Sequence, residues 1–341
     1  MNPSRGPMVA LVADPELLHG IPSAWARTHP SRVGEIDFRM PLGNNLDELA
    51  GAGHDASVIV GCRTPIGPEL LDRLPDVSLI QQCSAGVDNI DLAEVRRRGI
   101  VLARVHDSGR TAVAEHTVML ILALARRLCE ANHATHEGRW IWSELYGDIW
   151  ELRGKAVGVV GMGPIGQEVA RLVAAFGSEV LYTRRRPADI DDLGFEARRV
   201  NLDHLLDRAD VVTLHCPLNE ETRGLIDAGA LRRMKSTAIL VNTARGAVAV
   251  ETDVAQAVEL GWIAGAAIDT YGTHSDPIAL DSPLLGVPGV LLTPHTAAST
   301  SENLEYTFHL AGLDNLMAWL DGRPLRGVVT APRSASDIDA T

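Results

Sequence analysis

Short aliphatic runs recur along the chain, separated by stretches whose apolar residues fall three and four positions apart, and this alternation predicts strand and helix in turn. In the first hundred residues the strands are predicted at 9–13, 57–60, 78–82 and 100–103, with helical spacing at 68–74 and 92–97. Nearly continuous aliphatic strands alternating with helices form parallel sheets covered on both faces. A second series begins at residue 156, with strands at 156–160, 180–182, 211–214, 238–241, 264–268 and 290–292. Helices such as 228–234 and 251–260 lie between them, and a last one is predicted at 302–320. Between the two series, residues 111–127 have helical character with a middle that is apolar all round, so the helix must be buried on every side, between domains or at a subunit interface.

The first two strands of the second series flank a glycine turn, Gly161-Met162-Gly163-Pro164-Ile165-Gly166, that opens directly into a helical pattern. A strand, this spacing of glycines and a helix form a phosphate cradle, because the turn lets backbone approach a pyrophosphate and the helix start presents free N–H groups and a positive dipole end. Dinucleotide sites for NAD usually place an acid about 20 residues further on, to accept hydrogen bonds from the ribose. Here Thr183 is followed by Arg184, Arg185 and Arg186. Guanidinium groups suit a 2′-phosphate, which an acid would repel, so the preferred cofactor is predicted to be NADP(H) over NAD(H).

Composition narrows the partners. At 341 residues and 46% hydrophobic content the chain can hold two domains with full cores. A net charge of −13 argues against nucleic acid or an anionic membrane as the main partner. The longest largely apolar uncharged run, 117–125, is well short of the roughly 20 residues that span a bilayer, and the N-terminus carries no signal-like segment. Cys62, Cys83, Cys129 and Cys216 lack metal-ligand spacing and lie in or beside apolar runs, as expected for buried thiols in a reducing cytoplasm; no metal is expected. Trp140, Trp142 and Trp150 cluster after the apolar helix, as packing or interface aromatics do. The tail from residue 333 is polar and is expected to be disordered.

Polar residues mark the ends of the late strands: Asn242-Thr243-Ala244-Arg245-Gly246, then Asp269, then Thr293-Pro294-His295. With the glycine turn, Gly86-Val87-Asp88-Asn89-Ile90-Asp91, Ala112-Val113-Ala114-Glu115-His116, His215-Cys216-Pro217 and Gly322-Arg323-Pro324-Leu325, these segments make the chain resemble the D-isomer-specific 2-hydroxyacid dehydrogenases over nearly its whole length. The resemblance implies an α/β fold with two doubly wound parallel-sheet domains. A Rossmann dinucleotide-binding domain, residues 109–298, is inserted in a flavodoxin-like substrate domain made of residues 1–108 and 299–341, with the active site in the cleft, and the apolar helix at 111–127 adds the expectation of a homodimer. The resemblance also implies hydride exchange between NADP(H) and a small anionic 2-oxo or 2-hydroxy acid.

The chemistry fits the residue types. Arg245 is a permanent cation that can clamp a carboxylate and polarise the carbonyl, and His295 can give a proton to the forming alkoxide, because imidazoles titrate near neutrality. By resemblance, Ala85 and Gly86 supply backbone to the substrate carboxylate. Asp269 meets the nicotinamide carboxamide, and His215, Cys216, Pro217, Thr243 and Ala244 line the cofactor. Two departures stand out. Where the family carries the glutamate that pairs with its histidine, this chain has His274, and Asp276 two residues later is the candidate replacement; alternatively His274 binds a second anionic group of the substrate. At the crossing between domains the usual Asn-x-Pro-Gly is Arg104-Val105-His106-Asp107, which adds positive potential and points to a strongly anionic substrate. The rival readings are oxidation of a one-carbon or inorganic anion, as in formate and phosphite dehydrogenases, and a non-catalytic dinucleotide sensor.

Overall fold

The computed structural model describes residues 7–105, 108–185, 194–272, 278–306 and 312–330. The chain divides into two compact units, one formed by Met1–Gly109 with Ser301–Thr341 and the other by Arg110–Thr300. The first five strands are β1 (Met8–Val12), β2 (Ile36–Arg39), β3 (Val58–Gly61), β4 (Leu79–Gln82) and β5 (Val101–Arg104). The next seven are β6 (Ala156–Val160), β7 (Glu179–Thr183), β8 (Ala197–Arg199), β9 (Val211–Leu214), β10 (Ile239–Asn242), β11 (Gly265–Ile268) and β12 (Val290–Leu292), and β13 (Val328–Thr330) comes last.

In the first unit the sheet order is β13-β5-β4-β3-β1-β2, with β13 antiparallel and the other pairs parallel. This is the flavodoxin-like order with one strand added at the β5 edge. The aliphatic pattern predicts the four inner strands and misses both edges, β2 and β13. β2 is half-polar and β13 is only three residues long with Val328 exposed, as suits edge strands.

The second unit holds a seven-stranded parallel sheet in the order β12-β11-β10-β9-β6-β7-β8. The pattern predicts six of these strands. The seventh, β8, reads Ala-Arg-Arg, so it carries no aliphatic signal and is held by its ladder to β7. Strand order reverses between β6 and β9, which makes the glycine turn after β6 the topological switch point. Leu214, Leu240, Val241, Val157 and Ala266 are fully buried in the clusters on the two faces of this sheet. Each such large aliphatic side chain contributes roughly 1.5–3 kcal/mol.

The long apolar helix runs from Arg110 to Ala125. It packs against the helix Pro164–Ala175 and against β10 and β11, so its own unit covers most of it. Met119, at 48% exposed, is the large apolar side chain left open. Of the tryptophans that follow, Trp150 is half-buried while Trp140 and Trp142 are 83% and 65% exposed. The expected helix at 302–320 is described as Ser301–Leu304 and Gly312–Leu320. Cys83 is buried and Cys62 and Cys216 half-buried, but Cys129 is exposed on the helix Leu128–His136, contrary to the expectation of four buried thiols.

Candidate active site

Register lines up the ends of six neighbouring strands in the second unit: Thr183 beside Val160, Val160 beside Leu214, Leu214 beside Asn242, Asn242 beside Ile268, and Ile268 beside Leu292. Arg184, Gly161, His215, Thr243, Asp269 and Thr293 therefore leave the sheet in one row at its C-terminal edge. The loops of Arg245 and His295 follow β10 and β12, two strands apart, or about 10 Å at the usual strand spacing. Asp269, after β11, lies between them.

The glycine turn has the shape of a cradle. Gly161 has φ +100°, and a Cβ there would come within 2.6 Å of the Cys216 amide nitrogen and 2.7 Å of the His215 carbonyl. Only glycine satisfies both conditions. A Cβ on Gly166 would collide with the Gly161 carbonyl, whereas Gly163 faces open space. The helix that follows starts with Pro164 and has no side-chain cap at Gly163. By contrast, Asn45, Asp91, Asn201 and Asp227 each cap a helix by accepting the N3 amide. An uncapped, glycine-lined helix start suits the pyrophosphate of a dinucleotide.

Of the three arginines after Thr183, Arg184 is half-buried and donates to the Met162 carbonyl in the turn at 3.3 Å. Arg185 is exposed and pairs with Glu221 at 2.7 Å. Arg186 lies outside the described residues. A fourth guanidinium joins them: Arg199 of β8 donates to the carbonyls of Arg184 and Arg185 at 2.9 and 3.5 Å. Next along the row, His215 contacts the Thr213 hydroxyl through Nε2 at 2.9 Å, and burial pushes its pKa down to about 3. Burial likewise raises the Cys216 thiol to about 11, so this stretch offers a neutral wall.

The Arg245 loop is braced by its neighbours. Asn242 Oδ1 accepts the Ala244 amide and Asn242 Nδ2 donates to the Arg245 carbonyl. The buried Thr243 hydroxyl meets the Thr117 hydroxyl of the long helix at 2.9 Å. A Cβ on Gly246 would lie 2.5 Å from the Gly272 nitrogen, so a side chain there would push this loop away from the one after β11. Arg245 itself is half-buried and donates to the Ala244 carbonyl.

Asp269 is completely buried and organises the His295 loop. Its carboxylate accepts the Thr293 hydroxyl at 2.6 Å and the amides of Thr296 and Ala297 at 3.0 and 3.1 Å, with His116 Nε2 at 3.5 Å. Burial alone would raise its pKa, but the bonds from His116, Thr293 and the two amides outweigh it and keep the group charged. The carboxylate has no exposed surface, and these bonds make Asp269 the anchor of the loop. At the middle of the hooked segment, His295 adopts φ +51°, the left-handed region, and is half-exposed.

In the first unit, register sets Gly61, Gln82 and Arg104 side by side at the ends of β3, β4 and β5. Gln82 is fully buried and its Nε2 faces the carbonyls of Cys62 and Gly86, the Ser84 hydroxyl and Asn89 Oδ1 within 3.2 Å. Arg104 donates to the Ala85 carbonyl at 2.6 Å. With their carbonyls tied inward, Ala85 and Gly86 have amides that donate to no group among the described residues. The amides of Cys62, Arg63 and Thr64 are differently placed: all three donate to the buried Asp14 carboxylate. Asp14, Gln82 and Arg199 belong to no motif, and His116 closes the segment 112–116 without its contacts being legible there. The visible signal for the first two is a polar residue closing an aliphatic strand.

His106, His274 and Asp276 lie outside the described residues. Among the described residues no group of three His, Cys, Asp or Glu side chains could hold a metal ion, and no helix is long and apolar enough to cross a membrane.

Known proteins share this fold. The sequence profile described as D-isomer specific 2-hydroxyacid dehydrogenase, NAD binding domain, matches residues 118–297. Over 273 residues the chain is 37% identical to the glyoxylate reductase of Korarchaeum cryptofilum, covering 79% of this chain and 81% of that one. Over 290 residues it is 30% identical to the hydroxypyruvate reductase of Blautia hydrogenotrophica, covering 83% and 88%. The solved NAD-dependent formate dehydrogenase of Staphylococcus aureus in complex with NAD superposes with a TM-score of 0.84 at 26% identity, covering 96% of this chain and all of that one.

Proposed function

Since the chain belongs to the D-isomer specific 2-hydroxyacid dehydrogenase family, we propose that it is a reductase of small anionic 2-oxo acids that prefers NADP(H), with glyoxylate and hydroxypyruvate as first candidate substrates. The observation that carries this reading is the aligned edge of the second sheet, where the uncapped glycine cradle, the Arg245 loop and the His295 loop follow strands of matched register. The bound dinucleotide would supply a hydride to the carbonyl carbon. Arg245 clamps the carboxylate and draws electron density toward the carbonyl oxygen. His295 gives that oxygen its proton, so carbonyl, hydride and proton become an alcohol: primary from glyoxylate, secondary from hydroxypyruvate. The amides of Ala85 and Gly86 are assigned to the same carboxylate. Asp276 is assigned as the carboxylate partner of His295 in place of the family's glutamate; if D276N leaves the pH profile of kcat/KM unchanged, that assignment is wrong.

The preference for NADP(H) rests on Arg184, Arg185 and Arg199 around the end of β7 and on the lack of an acid directly after Thr183. The names of the two reductases above support a 2-oxo acid substrate. Following NADPH and NADH absorbance against glyoxylate, hydroxypyruvate, phosphonopyruvate and 3-phosphohydroxypyruvate tests substrate and cofactor together. Preference for NADH refutes the cofactor half, and no turnover with any of these acids refutes the substrate half. The similarity to a formate dehydrogenase favours one second reading, oxidation of a one-carbon anion, which formate with NAD⁺ or NADP⁺ checks directly.

The assembly is proposed to be a cytoplasmic homodimer formed through the second unit. In support, the exposed Trp140, Trp142 and Tyr146 project from the unit that also carries a cavity of about 800 Å³. Leu124, Trp150, Ile239, Val258 and Val290 line that cavity, at the strand edge opposite the glycine turn. A concentration-independent monomer by light scattering would exclude the dimer.

A further inference from the structure

Two consecutive residues of the long helix, His116 and Thr117, touch the two loops that carry the assigned catalytic pair. His116 Nε2 lies 3.3 Å from the Thr293 hydroxyl and 3.5 Å from Asp269 Oδ1. Thr117 Oγ1 lies 2.9 Å from Thr243 Oγ1 and 2.7 Å from the Val113 carbonyl. Proton counting fixes the direction of each contact. Thr117 has one hydroxyl proton, and the Val113 carbonyl can only accept, so that proton goes to Val113 and Thr243 must donate to Thr117. The Thr293 proton goes in the same way to Asp269 at 2.6 Å. His116 Nε2 then faces a carboxylate and a hydroxyl that offer it lone pairs alone, so Nε2 carries a proton.

We propose that His116 and Thr117 are positioning residues that set the geometry of the reaction from one rigid element, His116 holding the Asp269–Thr293 hook that puts His295 in its left-handed conformation and Thr117 holding the Thr243 end of the Arg245 loop. Neither residue touches substrate. The inference rests on the roles given above to Arg245 and His295. The physical need is plain: proton donor and carboxylate clamp stand two strands apart on separate loops, and a displacement of about 1 Å costs on the order of 100-fold in rate. Both contacts are buried or nearly so, with side-chain exposure of 14% at His116 and complete burial at Thr117, so water is poorly placed to replace either bond. A side-chain bond holds the hook from the other side, where the Tyr271 hydroxyl donates to the Thr293 carbonyl at 2.7 Å.

The experiment divides the two roles. H116F removes the donor, and H116Q restores an N–H near the position of Nε2. T117V removes the acceptor, and T117S restores it. In steady-state reduction of the best 2-oxo acid, H116F is expected to lower kcat about 30-fold with KM for the acid within about 2-fold, and H116Q to recover most of the loss. T117V is expected to raise KM for the acid about 10-fold with a smaller change in kcat, and T117S to return it. Equal effects of each pair, or H116F and T117V variants that keep the native kinetics, overturn the proposal. A readout independent of turnover separates this from failure of the functional reading. In protein labelled with ¹³C at histidine Cε1, the His295 resonance, assigned with H295N, should shift in H116F and return in H116Q. If it stays in place the positioning role is wrong, whether or not the wild type reduces any 2-oxo acid.

Discussion

Asp14 in the first unit and Asp269 in the second do the same mechanical job with different consequences. Each is a buried acid just beyond the end of a parallel strand, and each gathers a threonine hydroxyl and consecutive backbone amides: Cys62, Arg63 and Thr64 with the Thr64 hydroxyl for Asp14, Thr296 and Ala297 with the Thr293 hydroxyl for Asp269. An acid in that place satisfies amides that a loop leaving a sheet would otherwise strand. The difference is the Nε2–H of His116 against Asp269; no imidazole lies against Asp14 among the described residues. Asp14 shapes a loop of its own unit's sheet edge alone, whereas Asp269 is one link in a chain from the long helix to a histidine in the left-handed region. Loop anchoring is thus generic to these sheets, and the histidine behind it marks the edge where chemistry is assigned.

The largest effects should fall on the assigned catalytic pair. R245Q and H295N should each lower kcat/KM for the 2-oxo acid by about 10²–10³-fold with little change in thermal stability, because both side chains reach solvent and neither fills a core. Native kcat/KM in either variant would remove the basis for treating the second edge differently from the first.

Stability should separate the two acids next. D269N turns an acceptor into a donor beside amides and His116, at a cost of about 3 kcal/mol in urea unfolding, and it should lower activity with it. D14N should cost about 1–2 kcal/mol, since Asn Oδ1 can keep part of the amide set. Equal losses would mean that His116 adds nothing to the second hook.

Acid should act on the second unit through His215. Its folded pKa of about 3 lies below the unfolded value near 6.5, so the unfolded chain binds the proton first. Stability associated with this group is complete above about pH 6.5 and is lost as pH falls toward 3, at up to about 1.4 kcal/mol per unit. H215N should flatten that limb of the pH–stability curve relative to wild type, and an unchanged slope would count against a neutral His215. The smallest effect is at the β7 turn, where R199A should raise KM for NADPH about 5-fold and leave KM for NADH nearly unchanged. A parallel rise for both cofactors would show that Arg199 only supports the loop.

Periodicity located the inner strands of both sheets, because a strand buried on both faces is aliphatic throughout and cannot hide. It could not find β2, β8 or β13, whose polar or mixed residues are held by ladders to a neighbour rather than by burial. The glycine turn was legible, and Arg245 and His295 could be put forward as candidates, because a phosphate cradle and the proposed chemistry call for particular residue types at particular offsets. The anchoring contacts of Asp269 were not legible, because its partners at Thr293, Thr296 and Ala297 are brought to it only by the pairing of β11 with β12.

Residue order along the chain settled the α/β class, the phosphate cradle and the candidate pair, since each depends on local spacing or on a functional group that few side chains possess. Which groups meet was settled by folding. Sheet order brings β10, β11 and β12 together and lays the helix Arg110–Ala125 behind them, so that His116 meets residue 269 and Thr117 meets residue 243 across gaps of 153 and 126 positions. Contacts of that separation follow from strand register and helix packing, which are properties of the whole unit, and no short window of sequence contains them.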